Sequence, residues 1–183
     1  MLWLCLRLPA LPLDAISASH STALLALTHK HRIVMTSSAA QHAGINAGMS
    51  VTTATSLCSA LELRPRDLQR EQQYLNNIAL WAYRFSGDVC LCPPNAVLLE
   101  LSASLRLFKN LARLYRKFIS AFRRRGLSIK LGLAHTPLAA EFLSHQIKSF
   151  IAEVGSKDAE GFIAVISKDV FEALSFTRPN LPF

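Results

Sequence analysis

Leucine alternates with other residues from the second position onward. Leu2, Leu4, Leu6 and Leu8 fall on one side of an extended chain, and Trp3, Cys5 and Arg7 on the other. This period predicts a strand, which Pro9 ends because proline brings no N–H to a ladder. Thr22–Leu27 and Ile33–Thr36 read as two further strands joined by a turn at His29–Lys30. Val89–Cys92 and Ser128–Ala134 add two more. Between them Val97, Leu99 and Leu101 alternate with Leu98, Glu100 and Ser102.

Helical spacing takes over elsewhere. Ser37–Leu61 reads as helix, Gly-Ile-x-x-Gly-Met turn and helix, with Gly44 ending the first helix and Gly48 opening the turn. Leu63–Gln69 is a polar connector containing Pro65, and Asp67 is placed to cap the helix that follows. From Gln72 to Phe85 the stripe Leu75, Ile78, Ala79, Ala82 and Phe85 suits packing on a sheet, with Trp81 and Tyr83 flanking it as core and edge residues. Leu105–Arg125 carries Leu107, Leu111, Leu114, Phe118 and Phe122 on one face; Ser104 is its expected N-cap and Gly126 its stop. A last helix starts near His135, capped by Thr136 or its neighbour.

With 183 residues, 51% of them hydrophobic, and a mean hydropathy of +0.27, the chain is long and apolar enough for one good core or a core with a small inserted lobe. No apolar run reaches the roughly 18 residues that span a bilayer. Arg7, Pro9, Pro12 and Asp14 interrupt the apolar start, so it is not read as a signal peptide, and the cytoplasm is the expected location. The four cysteines, Cys5, Cys58, Cys90 and Cys92, form no C-x-x-C pair. Cys90 and Cys92 point to one face of their strand and are expected to be small buried residues. His29 and His31 have a metal-like spacing but no third ligand near them, and a solvated hairpin tip accounts for them. The net charge is +8 and unevenly spread: nine basic and no acidic residues lie between Arg106 and Lys130, while Asp14 is the sole carboxylate of the first 61 residues. The basic helix can track DNA, meet an acidic protein partner, or form a solvated outer face.

Several segments resemble the Y-family, UmuC-like DNA polymerases. Gly44-Ile45 and Gly48-Met49 match the Gly-Val-x-x-Gly-Met of the family's fingers. Leu99-Glu100 and Ser104–Phe108 match the end and tail of its second catalytic strand, and Gly132-Leu133-Ala134 with Leu138-Ala139 match its Gly-Ile-Ala and Leu-Ala motif. The chemistry that goes with those motifs is missing. By this resemblance the metal-binding carboxylates of the first strand fall on Cys5 and Arg7, and the Asp-Glu pair of the second on Asn95 and Ala96. The tyrosine and arginine that hold the triphosphate fall on Ser38 and Gln41, with His42 beside them as a surface helix residue. The ribonucleotide-excluding aromatic falls on Ala10, and the two palm lysines fall near Thr136 and on Ala140.

These departures are those of the ImuB-like proteins, which the stretches LWLCLRLPALPLDA from Leu2, WAYRFS from Trp81, LELSASLRLF from Leu99 and LAHTPLAA from Leu133 resemble closely. The resemblance implies an α+β (mixed α/β) fold: a ferredoxin-like polymerase palm at 1–18 and 71–150, built on a mixed sheet with two helices on one face. A small fingers lobe is inserted at 19–70, and 151–183 is a C-terminal extension. Thumb and little finger are expected to be absent. It further implies a non-catalytic accessory protein of SOS-induced translesion synthesis, linking a lesion-bypass DNA polymerase, a RecA-like accessory protein and the sliding clamp. DNA binding is then weak or indirect, with no membrane contact and no cofactor. Two alternatives stand beside it. One is a degenerate but active translesion polymerase that recruits Asp14 and Glu100 to hold Mg²⁺; the other is a truncated fragment with no function of its own.

Overall fold

β1 (Trp3–Arg7) is the centre of the molecule because both of its edges and both of its faces are used. The computed structural model describes residues 1–16, 23–104 and 111–146. Along the chain follow α1 (Leu11–Asp14), β2 (Leu25–His29), β3 (Arg32–Thr36), α2 (Ser38–His42), α3 (Val51–Leu57), β4 (Glu62–Pro65) and α4 (Leu68–Ala82). They are followed by β5 (Val89–Cys92), β6 (Ala96–Glu100), α5 (Leu111–Arg123), β7 (Lys130–Ala134) and α6 (Pro137–Gln146). The expected tail Leu105–Phe108, the apolar segments at 162–166 and 170–174, and the whole of 151–183 lie outside the described residues.

β1 pairs antiparallel with β6 on one side and β7 on the other, and β5 closes the sheet in the order β5-β6-β1-β7. With α4 and α5 the path is βαββαβ, the ferredoxin-like topology. The sheet was expected to be mixed, yet every neighbouring pair in it is antiparallel, because each helix crosses over an intervening strand, α4 over β6 and α5 over β1. The mixed sheet is the smaller one, β3-β2-β4, where β2 runs antiparallel to β3 and parallel to β4.

The alternation of β1 explains the layers. Leu4, Leu6 and Leu8, joined by Val97, Leu99 and Leu131, meet Leu75, Ile78 and Ala82 of α4 and Leu114, Phe118 and Phe122 of α5. Cys5, Ala96, Leu98 and Ala134 point the other way and are covered by Ala140 and Leu143 of α6. α6 therefore lies on the face opposite α4 and α5. It approaches β7 at Gly132, where a Cβ would stand within 2.5 Å of the Ser144 backbone nitrogen and closer still to the Ala140 carbonyl oxygen. Pro137 starts α6 and the Thr136 hydroxyl accepts from the Ala139 N–H at 3.3 Å, as a cap should.

The small sheet has its own core of Ala26, Ile33, Ala40, Ile45, Ala54 and Leu61. Gly44 and Gly48 take φ of +86° and +93°, the left-handed turns that the Gly-Ile-x-x-Gly-Met text requires. The hairpin between β2 and β3 turns one residue later than expected, at Lys30 and His31 with φ of 49° and 61°, and His29 and His31 are both exposed. Leu63–Gln69 is not simply a connector. Its first residues belong to β4, an edge strand recruited by main-chain pairing to β2, which alternation of side chains does not report. Asp67 does cap α4, accepting from the Arg70 N–H at 2.9 Å. Ser104 is not an N-cap, since residues 102–104 are already helical and the Glu100 carboxylate accepts from the Ser102 N–H at 3.0 Å. Cys90, expected to be buried, is exposed: β5 is the sheet edge, and α6 reaches Cys92 but not the next residue on that face. No described helix is long and apolar enough to cross a membrane.

Candidate functional site

β1 and β6 bring Cys5, Arg7, Asn95 and Ala96 together. Arg7 stands opposite Ala96 in the ladder, Cys5 is opposite Leu98, and Asn95 immediately precedes β6. Asn95 is fixed by two main-chain ties to the end of β1. Its carbonyl accepts from the Leu8 N–H at 2.8 Å, and its side-chain amide donates to the Leu8 carbonyl at 3.1 Å.

The guanidinium of Arg7 fills the space between β1 and α6. Arg7 is 7% exposed, and a buried charge persists only when its donors are met. Here Nη1 donates to Asn95 Oδ1 at 2.7 Å and Nε to Ser144 Oγ at 2.8 Å, while Nη2 reaches Glu141 Oε1 at 3.5 Å. Ser144 is fully buried, accepts from the Cys5 thiol at 3.4 Å, and donates to the Glu141 carbonyl at 2.5 Å. Glu141 and Ser144 are three apart on α6 and so share a face. The sequence reading left out both. The available signal was Gly132 opposite Ala140 and Ser144, small residues four apart that let a helix settle on a strand.

The thiols follow from the same burial. Desolvation pushes the Cys5 thiol up, partly offset by its bond to Ser144. Burial and then the Glu141 carboxylate push Cys92 up to about 11.

A two-metal phosphoryl-transfer centre needs several carboxylates converging on ions roughly 4 Å apart. The four positions supply a raised-pKa thiol, a guanidinium, an amide already committed to Leu8 and Arg7, and a methyl group. Mg²⁺ takes oxygen ligands, and a guanidinium bonded to Asn95, the one oxygen-bearing side chain of the four, repels it. These residues do not fit the metal pair. Among the described residues no group of three or more His, Cys, Asp or Glu side chains converges.

The two carboxylates of the alternative reading are not brought together. Glu100 pairs with Trp3 at the start of β1, whereas Asp14 follows the opposite end, and a five-residue strand separates its ends by roughly 13 Å. Asp14 lies in a hollow of about 330 Å³ with Arg70, Tyr74 and Asn77, on the α4 side. Burial, and next the Asp14 charge, raise the Tyr74 phenol. Glu100 accepts from the Leu2 N–H at 3.1 Å and from Ser102. The Ser102 side chain first, then these N–H groups, hold its carboxyl below the usual range. It is a clamp between the chain start and the helix after β6.

Ser38 and Gln41 sit exposed on α2, one turn apart, and His42 is exposed beside them. Neither is a fixed cation. Ala10 is the residue before α1, and Ala140 is on the face of α6 that packs on the sheet and is fully buried.

The family model described as impB/mucB/samB matches residues 14–145. Among solved structures, the post-insertion binary complex of Dbh DNA polymerase superposes with a TM-score of 0.66 at 13% identity, over 81% of this chain and 46% of that one. A Dbh ternary complex gives 0.64 at 14% identity and DinB from Sulfolobus solfataricus 0.60 at 13%, with the same coverage. The chain thus spans less than half the length of these structures. No curated protein matches it.

Proposed function

The chain belongs to the impB/mucB/samB family, and from that premise we propose that it is a non-catalytic, polymerase-like accessory protein of translesion synthesis. It carries the palm and fingers fold of the Y-family polymerases. The observation that carries the proposal is Arg7: a buried guanidinium tied to Asn95 and Ser144 occupies the face on which polymerase chemistry would need carboxylates and two cations. A lost ligand alone leaves room for a metal held some other way. A cation of the protein's own, closed in by α6, does not.

In this reading the protein serves as an adaptor between a lesion-bypass polymerase, a RecA-like accessory protein and the sliding clamp, in the cytoplasm and induced with the SOS response. In that role its surfaces, and not a reaction centre, carry the function. The test is primer extension on an undamaged primer–template, with Mg²⁺ and separately with Mn²⁺, using protein freed of host polymerases. No product is expected at a large excess of protein over primer. Product that disappears in Glu100→Ala or Asp14→Ala overturns the proposal and makes the chain an enzyme with a rebuilt metal site. Product unchanged by both variants is measured again on material purified through denaturation and refolding, and overturns the proposal if it persists there.

A further inference from the structure

On the sheet face opposite Arg7, α4 and α5 do not close over one another completely. An open groove of about 670 Å³ runs between the end of α4 and the outer side of α5, floored by Trp81 and Phe85 and edged by Arg84, Lys117, Arg124 and Arg125. Its cations come from two separate elements, so their convergence is a property of the fold and not of one basic stretch. The stretches that supply both walls, residues 72–87 and 106–130, contain no Asp or Glu.

Two of the cations are already held in place. Arg124 donates through Nε to the Ser120 carbonyl and Arg125 through Nη1 to the Ala121 carbonyl, both at 3.2 Å, and the Arg125 guanidinium lies over the Trp81 ring, 5.8 Å from its centroid. Each guanidinium has five N–H donors in a planar fork suited to carboxylate, so holding one donor on the helix orients the rest at little further entropic cost. The guanidiniums of Arg84, Arg124 and Arg125 gather around the apolar floor, and an anionic occupant relieves their mutual repulsion as it binds.

We propose that this groove docks an acidic segment of a partner protein, one that carries carboxylates on both sides of a single apolar anchor side chain. The floor decides between that and nucleic acid. Trp81 is already packed by Phe85 at 4.8 Å, by Phe122 at 4.9 Å and by Phe118 at 5.7 Å, with Arg125 over it. A ring engaged in this way is a floor for an aliphatic or aromatic anchor, not a platform on which bases stack in succession. A hollow between two helices also admits an anchor side chain more readily than the convex, evenly charged ridge of a duplex.

The test uses the full chain and a fluorescein-labelled peptide rich in glutamate around one central leucine, followed by fluorescence anisotropy. Trp3→Phe leaves Trp81 as the one tryptophan, and its emission gives a second readout at the groove itself. Saturable binding that shifts Trp81 emission is expected. It should weaken roughly tenfold in Arg84→Glu/Arg124→Glu and by less than about twofold in Lys30→Glu/Arg70→Glu, which changes the charge equally but away from the groove. The four residues are exposed, and the milder Arg84→Gln/Arg124→Gln repeats the comparison should charge reversal disturb folding. A glutamine-for-glutamate peptide should bind at least about tenfold more weakly. The proposal is overturned by absence of saturable binding, by equal loss in the two double variants, or by a Trp81 signal that does not move. A mixed-sequence single-stranded oligonucleotide that binds more tightly than the peptide and is lost in the same groove variant also overturns it, and makes the groove a nucleic-acid site.

Discussion

At the scale of single residues, the feature that sets this molecule apart is a charge buried between a strand and the helix that covers it. Arg7 is held by one amide, one hydroxyl and a carboxylate at the edge of reach. The Glu141 contact, 3.5 Å long and with the acid 33% exposed, contributes little; the bonds to Asn95 and Ser144 do most of the holding. Replacing a buried ion by an apolar residue is sometimes neutral. Here it would strand Asn95 Oδ1 and take from the buried Ser144 hydroxyl the stronger of its two donors, leaving it the Cys5 thiol. Arg7→Met is therefore expected to lower the unfolding free energy by about 3 kcal/mol, read from the urea midpoint, with Arg7→Lys in between because it keeps the charge and loses the fork. A methionine variant as stable as the parent would show that the network does not hold α6 to the sheet. The thiols give a second residue-scale prediction. Thiolate is the reactive form, and Cys92 is pushed up to about 11 while Cys90 is exposed. Maleimide at pH 8 should label Cys90 well before Cys92 and the buried Cys5. Peptide mapping by mass spectrometry reads the order, and Cys92 labelling first would contradict the placement of α6.

At the scale of elements, α6 matters most, since it converts an open sheet face into an interior. Its approach depends on Gly132, the position where the strand offers no side chain against the Ala140 and Ser144 backbone. Gly132→Ala is expected to cost about 3 kcal/mol and to raise the labelling rate of Cys5, because the helix must move outward from β1 and β7. Loss of stability without faster Cys5 labelling would place the strain elsewhere. The elements also show what can be read in advance. β1 was legible from Leu2, Leu4, Leu6 and Leu8, and α4 from its stripe, because burial on one side imprints a period. β4 was not, since an edge strand with exposed side chains is held by main-chain bonds that leave no period. Cys90 was misjudged for a related reason: alternation gives the face of a residue, not how far the covering helix extends.

At the scale of the whole molecule, two sheets with separate cores are joined through α1. Leu11 belongs to the larger core, while Leu13, two residues on, packs with Leu25 and Leu27 of the smaller sheet. Leu13→Ala is expected to lower stability by about 3 kcal/mol and to broaden thermal unfolding, because the two cores then lose their shared contact. A transition that shifts while staying equally sharp would mean that the lobes are coupled by other contacts. The sequence by itself determined the order of the elements other than α1 and β4, their apolar faces, the tight glycine turns and the absence of carboxylates at Cys5, Arg7, Asn95 and Ala96, since local geometry and residue chemistry suffice for all of these. Only the tertiary structure decided that Arg7 is enclosed, that Ser144 and Glu141 complete its shell, that Asp14 and Glu100 lie at opposite ends of β1, and that the cations of α4 and α5 share one groove. Those facts depend on contacts between residues far apart in the chain, and a local pattern of polar and apolar positions carries no record of which partner fills the space across from it.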